Sequence, residues 1–336
     1  MTENPATHQD WHDILRLRSP TEERNARTVD LDTLPSLDVV RLIVAEDAGV
    51  AAAVEAQAPQ IASLVDLAVR ALDSGGRVHY VGSGTSGRLG VLDAVELLPT
   101  FGVGDESFVA HLAGGDGAMM RAVEGAEDDV ELGRSAASVV RSGDLVVGLT
   151  ASGRTPFVGG ALATARDRGA RTALVAANPF AELAGVVDVA VLVDTGPEVV
   201  TGSTRMKAAT AQKLVLNTFS TATMVRLGKT YSNLMIEVLP TNRKLKARTV
   251  RMLMQATGVE AGRCEDVLAR AGDARTALVS LLAGVEVAGA RAALELFPPD
   301  PARTHDPAGV RSAMAAAREA APELLFDAPG VTTGIS

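Results

Sequence analysis

The amino-acid sequence predicts an α/β fold: a five-stranded parallel sheet flanked by helices, an αβα sandwich, with a small helical subdomain towards the C-terminus. Short apolar runs alternate with helical stretches over residues 77–193, which is typical of a parallel sheet. Glycine-rich and hydroxyl-rich turns follow three of these runs. Beyond residue 236, apolar positions recur at helical spacing between turns at Gly258, Gly272 and Gly284.

Five apolar runs predict the strands, and they lie at residues 78–81, 107–112, 145–150, 172–177 and 186–193. Apolar residues at helical spacing predict two helices over 37–72 and a helix over 86–98 that stops near Pro99. A further helix is expected from about Ala118, and a long one ends near Leu227. The sheet is therefore expected to be complete before the helical subdomain begins.

These patterns divide the chain into four parts: an N-terminal arm at 1–36, an α/β domain with its leading helices at 37–235, a helical subdomain at 236–297, and a proline-rich, partly disordered tail at 298–336. The stretch 11–17 could form a short docking helix. The polar stretch 21–32 predicts either a solvated coil or an arm that closes over a site.

Composition limits the classes of protein. With 336 residues, of which 47% are hydrophobic, the chain can bury a large core. A net charge of −9 and the lack of a dense basic run argue against a nucleic-acid partner. No apolar run reaches the length of about 18 residues that spans a membrane, and the polar N-terminus does not resemble a signal peptide, so a cytoplasmic protein without a membrane partner is expected.

Cysteine and histidine usage predicts neither a disulfide nor a metal site. The single cysteine is Cys264, in a helical stretch. The five histidines do not show the paired spacing of zinc enzymes. His79 and His111 flank strand-like runs and are interpreted as structural, with a place near the ligand as the alternative.

The most informative stretch is the turn Gly82–Gly87, between the first predicted strand and its helix. Its glycines let the backbone approach a ligand closely. Ser83, Thr85 and Ser86 bring hydroxyls to a helix N-terminus, where free N–H groups already favour an anion, and Gly84 contributes its backbone N–H. The turn is predicted to bind a phosphate group.

Two better-known phosphate motifs fit less well. The turn matches G-x-G-x-x-G, but the acidic residue expected about twenty positions later has only Glu106 as a candidate, in a polar loop rather than at a strand end. No G-x-x-x-x-G-K-[ST] sequence occurs. Hydroxyls in place of a lysine favour a monophosphate on a small organic molecule over a dinucleotide or a nucleoside triphosphate.

Two later turns repeat this chemistry. After the third strand, Ser152, Arg154 and Thr155 stand where the next helix begins, and after the fifth strand Ser203 and Lys207 do the same. Parallel strands present their carboxyl ends at one edge, so these turns are expected to share a ligand site. Lys213 follows on the long helix. By default, a charge such as Lys207 would be interpreted as an ordinary surface residue, but its position at a helix start beside hydroxyl groups favours a ligand role.

The motifs together resemble the N-acetylmuramic acid 6-phosphate etherases, which have the sugar isomerase (SIS) fold, over roughly residues 20–296. The segments that carry the resemblance are 21–25, 46–47, 82–90, 124–128, 151–156, 198–207 and 210–217. The resemblance implies a homodimeric enzyme without a cofactor that cleaves the lactyl ether of a phosphosugar, N-acetylmuramate 6-phosphate. N-acetylglucosamine 6-phosphate and D-lactate would be the products.

The resemblance also implies roles for two glutamates: Glu127 would be the base that removes the sugar C2 proton, and Glu96 the acid that protonates the departing lactate oxygen. Without it, both would be interpreted as solvated charges. Where the family usually reads Asp-Ala-Ser-Glu-Cys-Pro-Pro-Thr, residues 93–100 keep the glutamate but replace serine by Val95 and the Cys-Pro pair by Leu97 and Leu98.

Two other functions use the same phosphate turn. A phosphosugar isomerase would also remove the C2 proton, but would return it to C1 instead of expelling lactate. A sugar-phosphate sensor of the same fold would bind without turnover. The residues alone do not separate these possibilities from the etherase.

Overall fold

The computed structural model describes residues 18–238 and 243–320. The helix predicted over 11–17 and the end of the predicted tail lie outside these residues. Contacts divide the chain into two compact units. The first comprises the described residues up to Leu67, Gly76–Asp93 and Val109–Phe219, and the second comprises Ala68–Gly75, Ala94–Phe108 and the described residues from Ser220 onwards.

The sheet confirms the predicted α/β class. Its strands are β1 (Val78–Gly82), β2 (Phe108–Leu112), β3 (Leu145–Thr150), β4 (Arg171–Ala176) and β5 (Val189–Leu192). Their order is β2-β1-β3-β4-β5, and the register pairs Gly82 with Leu149 and Ala176 with Leu192 in parallel ladders. Every residue of β1 and β3 is buried, as expected for strands covered on both faces.

Seven helices occur from Ser36 to Arg226: α1 (Ser36–Asp47), α2 (Val50–Glu55), α3 (Ala58–Asp73), α4 (Gly84–Phe101), α5 (Val130–Ala136), α6 (Pro156–Asp167) and α7 (Lys207–Arg226). The helix α6 begins at a proline, whose missing N–H costs nothing at that position. Its apolar face packs on the sheet, where Phe157, Val158 and Leu162 join Val146 and Leu174 in one core.

The second unit has its own core. It contains the short hairpin β6 (Thr230–Tyr231) and β7 (Leu234–Met235), then α8 (Arg243–Thr257), α9 (Ala261–Ala271), α10 (Ala274–Ala283), α11 (Val287–Leu296) and α12 (Val310–Ala320). Val310, Ala313 and Ala317 of α12 are buried in this core. The helical core therefore extends past residue 297, where the sequence predicted that the tail begins, because α12 packs with the helices that precede it.

Three other predictions need correction. Two helices were expected over 37–72, and three are present. Pro99 does not end its helix: it lies in the last turn of α4, where a proline removes only one late backbone hydrogen bond. No helix runs from Ala118, because only a 3-10 turn at Asp116–Met119 forms before α5, and Gly115 and Gly125 adopt left-handed backbone conformations.

The N-terminal segment is not a solvated coil. Thr21 and Asn25 are buried despite their polar side chains. Asn25 donates to Pro197 O, Thr28 Oγ1 donates to Val199 O, and Gly202 N donates to Thr21 O. These hydrogen bonds satisfy the polar groups, so the segment packs on the turn before α7 of its own chain.

Candidate functional site

The first phosphate turn depends on two glycines in contact. A Cβ on Gly82 would lie 2.8 Å from Gly87 N, and one on Gly87 would lie 2.4 Å from Gly82 O. Only glycine lets the chain pass from β1 into α4 within so short a turn. Gly84, the first residue of α4, has a φ of +52° and open space where its Cβ would stand. The turn is therefore open to a ligand beside Gly84, at the N-terminus of α4, where backbone N–H groups are free.

The second turn lies beside the first, because β1 and β3 are neighbouring parallel strands. Thr150 Oγ1 is 2.7 Å from Thr155 Oγ1 and 3.4 Å from Ser152 Oγ, and it accepts a hydrogen bond from Gly153 N. The two predicted ligand hydroxyls are thus held in one small cluster at the start of α6. Arg154 is half-buried, and in the described part of the chain it has no hydrogen-bond or ion-pair partner.

At the third turn, the backbone N–H groups that could bind an anion are used by a glutamate of the protein. Glu198 is completely buried, and its carboxylate accepts hydrogen bonds from Lys207 N and Ala208 N, both at 2.9 Å. It therefore satisfies the free N–H groups at the start of α7, which an anionic ligand would otherwise use. Ser203 is half-buried in the turn, and Lys213 is exposed on α7.

The Lys207 side chain is not a surface charge. Its Nζ lies 3.1 Å from Glu46 Oε2, and both side chains are buried. Asn25 Nδ2 donates to the same oxygen at 2.8 Å, and Arg27 binds both oxygens of the carboxylate. Lys207 therefore belongs to a buried hydrogen-bonded network that joins the N-terminal segment, α1 and the start of α7.

A pocket of about 200 Å³ joins the first turn to the acidic loop. Ser83 and Gly84 line one side, and Glu124 and Glu127 line another. Both glutamates are exposed, and neither is in a helix. The backbone of Glu127 is nevertheless fixed, because Phe157 N, at the start of α6, donates to Glu127 O at 3.0 Å. The structure thus brings a predicted phosphate turn and a predicted catalytic base into one pocket.

Arg88 also lines this pocket, and the sequence did not single it out. Its Nε donates to Ala118 O at 2.9 Å and approaches Met119 O at 3.3 Å, and its Nη2 lies 3.4 Å from Arg121 O. The side chain therefore connects the N-terminal part of α4 to the loop that carries Glu127. The sequence feature that could have indicated Arg88 is its position directly after Gly87, the last residue of the phosphate turn.

The other predicted catalytic residue, Glu96, is exposed on α4 and is not among the residues that line this pocket. Its backbone carbonyl accepts a hydrogen bond from Thr100 Oγ1. Of the substituted neighbours, Leu97 is buried, whereas Val95 and Leu98 are exposed.

His79 and His111 form a pair away from the pocket lining. His79 Nδ1 is 3.0 Å from His111 Nε2, and His79 Nε2 is 3.3 Å from Asp144 Oδ2. Burial lowers the pKa of His111 to about 4, and the neighbouring His79 ring contributes to this shift. Burial also lowers the pKa of His79, although Asp144 acts in the opposite direction. Both rings are structural here.

Within residues 18–238 and 243–320, no group of three or more histidine, cysteine, aspartate or glutamate side chains is arranged to hold a metal ion. No single helix in these ranges is long and apolar enough to cross a membrane. Only α10 and α11 pass that test as a pair, on length and composition, and they are bent by 107°.

Part of the chain matches a known domain family. Residues 60–166 match the family described as the glucokinase regulatory protein N-terminal SIS domain. A phosphoheptose isomerase from Francisella tularensis is structurally similar with a TM-score of 0.48 and 18% identity, covering 57% of this chain and 100% of the isomerase.

Sequence relatives are much more similar. The chain is 58% identical to N-acetylmuramic acid 6-phosphate etherase of Thermobifida fusca, over 79% of this chain and 88% of the relative. It is 50% identical to that of Cutibacterium acnes, over 84% and 94%. The fold and its glycine turns define a protein of the SIS class. At these levels of identity and coverage, the chain belongs to the family of N-acetylmuramic acid 6-phosphate etherases.

Proposed function

We propose that the protein is a carbon–oxygen lyase that cleaves the D-lactyl ether of N-acetylmuramic acid 6-phosphate. The products are N-acetylglucosamine 6-phosphate and D-lactate, and the reaction serves the recovery of cell-wall amino sugars. One structural observation carries the proposal: Ser83 and Gly84 of the phosphate turn and Glu127 line one pocket. Membership of the etherase family supports the same reaction.

In this proposal the phosphate binds at the first turn. The free N–H groups at the start of α4 and the hydroxyls of Ser83, Thr85 and Ser86 supply donors to its oxygens. Ser152 and Thr155 extend this donor set from the neighbouring turn. Hydrogen bonds to a charged group contribute about 1.5 to 3 kcal/mol each, so a few such donors position a small phosphosugar without a lysine.

Four further residues were predicted to bind the substrate. Arg154 and Lys213 carry charges that can reach an anionic group, and Arg154 has no competing ion pair in the described chain. Ser203 offers a hydroxyl at the third turn. Lys207 has a different role in our proposal. Its Nζ forms a buried ion pair with Glu46, so it stabilises the third turn and does not contact the substrate.

The reaction begins with Glu127. In the open-chain sugar the C2 proton lies next to the C1 aldehyde, so its removal leaves an enolate that the aldehyde stabilises. Glu127 takes this proton, and its backbone bond to Phe157 N keeps the residue at the pocket wall. A positioned base of this kind contributes about a hundred- to ten-thousandfold in rate.

Elimination follows. The electron pair from C2 forms the C2–C3 double bond, the C3–oxygen bond breaks, and lactate leaves after Glu96 protonates its ether oxygen. Water then adds at C3 of the unsaturated aldehyde and a proton returns to C2. No electrons are gained or lost overall, so we propose a reaction without a cofactor.

We also propose a homodimer in the cytoplasm. Leu37, Val40 and Val44 form an exposed apolar stripe at helical spacing on α1, and Leu92 and Val95 form another on α4. Uncovered stripes of this kind mark a protein interface. The stripe on α4 includes the position next to Glu96, so a second subunit there would bury this acid. A cytoplasmic location suits a phosphorylated substrate, whose charge a bilayer excludes.

Lactate release tests the function. Purified protein is incubated with N-acetylmuramic acid 6-phosphate, and D-lactate and N-acetylglucosamine 6-phosphate are measured in equal amounts. Conversion of an aldose phosphate to a ketose without lactate would identify an isomerase instead. Binding of the phosphosugar without any turnover would identify a sensor.

A further inference from the structure

The helical unit has a pocket of its own, of about 380 Å³. This volume lies within the range of roughly 300 to 1,000 Å³ that is typical of small-molecule sites. Ile236 and Val238, which follow the β-hairpin, form one wall, and Leu294 of α11 and Pro298 form another. The pocket can therefore enclose a small apolar group.

Two opposite charges line the pocket without touching each other. Glu237 and Arg275 are both half-buried, yet no nitrogen–oxygen distance of 4.0 Å or less joins them. Glu237 has no hydrogen-bond partner among the described residues. Arg275 donates through Nη2 to Ala308 O, while its buried Nε has no partner there.

Two neighbouring charges already have hydrogen-bond partners. Asp273 accepts a hydrogen bond from Thr276 N and so caps α10. Arg291 donates to Ala271 O at 2.8 Å. Glu295 also lines the pocket without a partner among the described residues, but it is exposed, so Glu237 is the half-buried carboxylate of the lining that lacks one.

Neither Glu237 nor Arg275 is neutralised by an ion pair. Burial raises the pKa of Glu237, and the attraction of Lys229 and Arg275 offsets only part of that shift. Burial likewise lowers the pKa of Arg275. Partly buried charges without a partner cost stability, and the loss is recovered when a partner of opposite charge binds.

We propose that this pocket binds a small zwitterion of the α-amino acid type. Its ammonium group pairs with Glu237, its carboxylate pairs with Arg275, and an aliphatic side chain packs on Leu294 and Pro298. A simple anion would be repelled by Glu237, and a simple cation would be repelled by Arg275. A neutral sugar would leave both charges uncompensated. The ligand class follows from charge complementarity and is independent of the etherase reaction.

Calorimetric titration of the full-length protein with alanine, valine and leucine tests the proposal. At least one of these amino acids is expected to bind. N-acetylleucine lacks the ammonium group and leucinamide lacks the carboxylate, so each should bind roughly 10- to 100-fold more weakly than leucine, as expected for the loss of a hydrogen bond to a charged group. No binding by any of the three amino acids, or equal binding of leucine and N-acetylleucine, would overturn the proposal.

Variants locate the site. Glu237→Gln preserves the shape of the side chain and should weaken amino-acid binding roughly 10- to 100-fold. Glu286→Gln, an equivalent change at an exposed residue of the same unit, should leave binding unchanged. Glu127→Gln should also retain binding while etherase turnover is lost, which separates this site from the proposed reaction. Undiminished binding in a folded Glu237→Gln protein would contradict the assignment.

Discussion

Lys207 Nζ and Glu46 Oε2 lie 3.1 Å apart, and their side chains are 4% and 2% exposed. The residues are 161 positions apart in the sequence. A buried ion pair costs a great deal when one partner alone is removed, because the other charge stays in a poorly solvated site.

Lys207→Met is therefore expected to lower the free energy of unfolding by about 3 to 5 kcal/mol, measured by urea denaturation. Lys213→Met, the same change at an exposed position of α7, should alter it by no more than about 0.5 kcal/mol. The double variant Glu46→Gln, Lys207→Met should recover part of the loss. Equal stability of the two single variants would show that the ion pair does not support the fold.

The histidine pair predicts a loss of stability in mild acid. Burial lowers the pKa of His111 from 6.5 to about 4, so the unfolded chain takes up a proton before the folded chain does. The stabilisation is complete above pH 6.5 and is lost as the pH falls from 6.5 towards 4. The expected loss is on the order of 2 kcal/mol, allowing for partial solvent screening.

His111→Gln isolates this contribution, since glutamine does not titrate. Urea denaturation at pH 7.5 and pH 5 should show a smaller decrease in the variant than in the wild type. Parallel decreases would assign the acid sensitivity to other groups. Replacing His305, which is exposed and makes no side-chain hydrogen bond or ion pair in the described chain, provides the matched control.

Deuterium exchange at the sugar C2 separates the two proposed catalytic carboxyl groups. Glu127→Gln should stop both lactate release and exchange of the C2 proton with solvent, because the first step fails. Glu96→Gln should slow lactate release by about a hundred- to ten-thousandfold while exchange continues, since Glu127 still removes and returns the proton. The opposite pattern would interchange the roles, and normal turnover in both variants would rule out the mechanism at these residues.

Arg88 is expected to act by positioning the Glu127 loop. Arg88→Lys loses the fork of donors that contacts Ala118 and Arg121 carbonyls, so C2 exchange should slow by about 100-fold, the effect of a small displacement of a reacting group. Binding of N-acetylglucosamine 6-phosphate should change by less than about threefold, because the turn itself is intact. Arg121→Lys, at an exposed side chain, is the control. Weakened product binding with unchanged exchange would instead make Arg88 a direct ligand.

The apolar stripe on α1 predicts the quaternary structure. Val40 and Val44 are 57% and 63% exposed, and the double change Val40→Asp, Val44→Asp should convert a dimer to monomers in sedimentation velocity. Val139→Asp, at a similarly exposed valine outside this stripe, should leave the dimer intact. A wild-type protein that sediments as an active monomer would refute the proposed dimer.

Local sequence patterns were sufficient where an element buries a continuous apolar run. The predicted limits of β3 agree with the structure, because every residue of this strand is buried. The phosphate turn was also recognisable, since glycine is required at Gly82 and Gly87 by contacts a few residues apart. Such contacts leave a signature in a short stretch of sequence.

Features that depend on distant contacts were missed. The helix expected from about Ala118 would have included Glu127, but the conformation of this residue is set by a hydrogen bond from Phe157 and by a positive φ at Gly125. Lys207 was interpreted as a surface or ligand charge because nothing near it in the sequence indicates Glu46. The burial of Thr21 likewise requires the turn before α7, about 180 residues later.

The alternation of the two units along the chain has a consequence for synthesis on the ribosome. The helical unit includes Ala68–Gly75 and Ala94–Phe108, which are made long before its remaining part begins at Ser220. Those early segments carry side chains that are buried in the folded protein, such as Val69 and Leu97, and the rest of their unit is not yet made when they leave the ribosome. Neither unit can therefore be produced alone by cutting the gene at a single point.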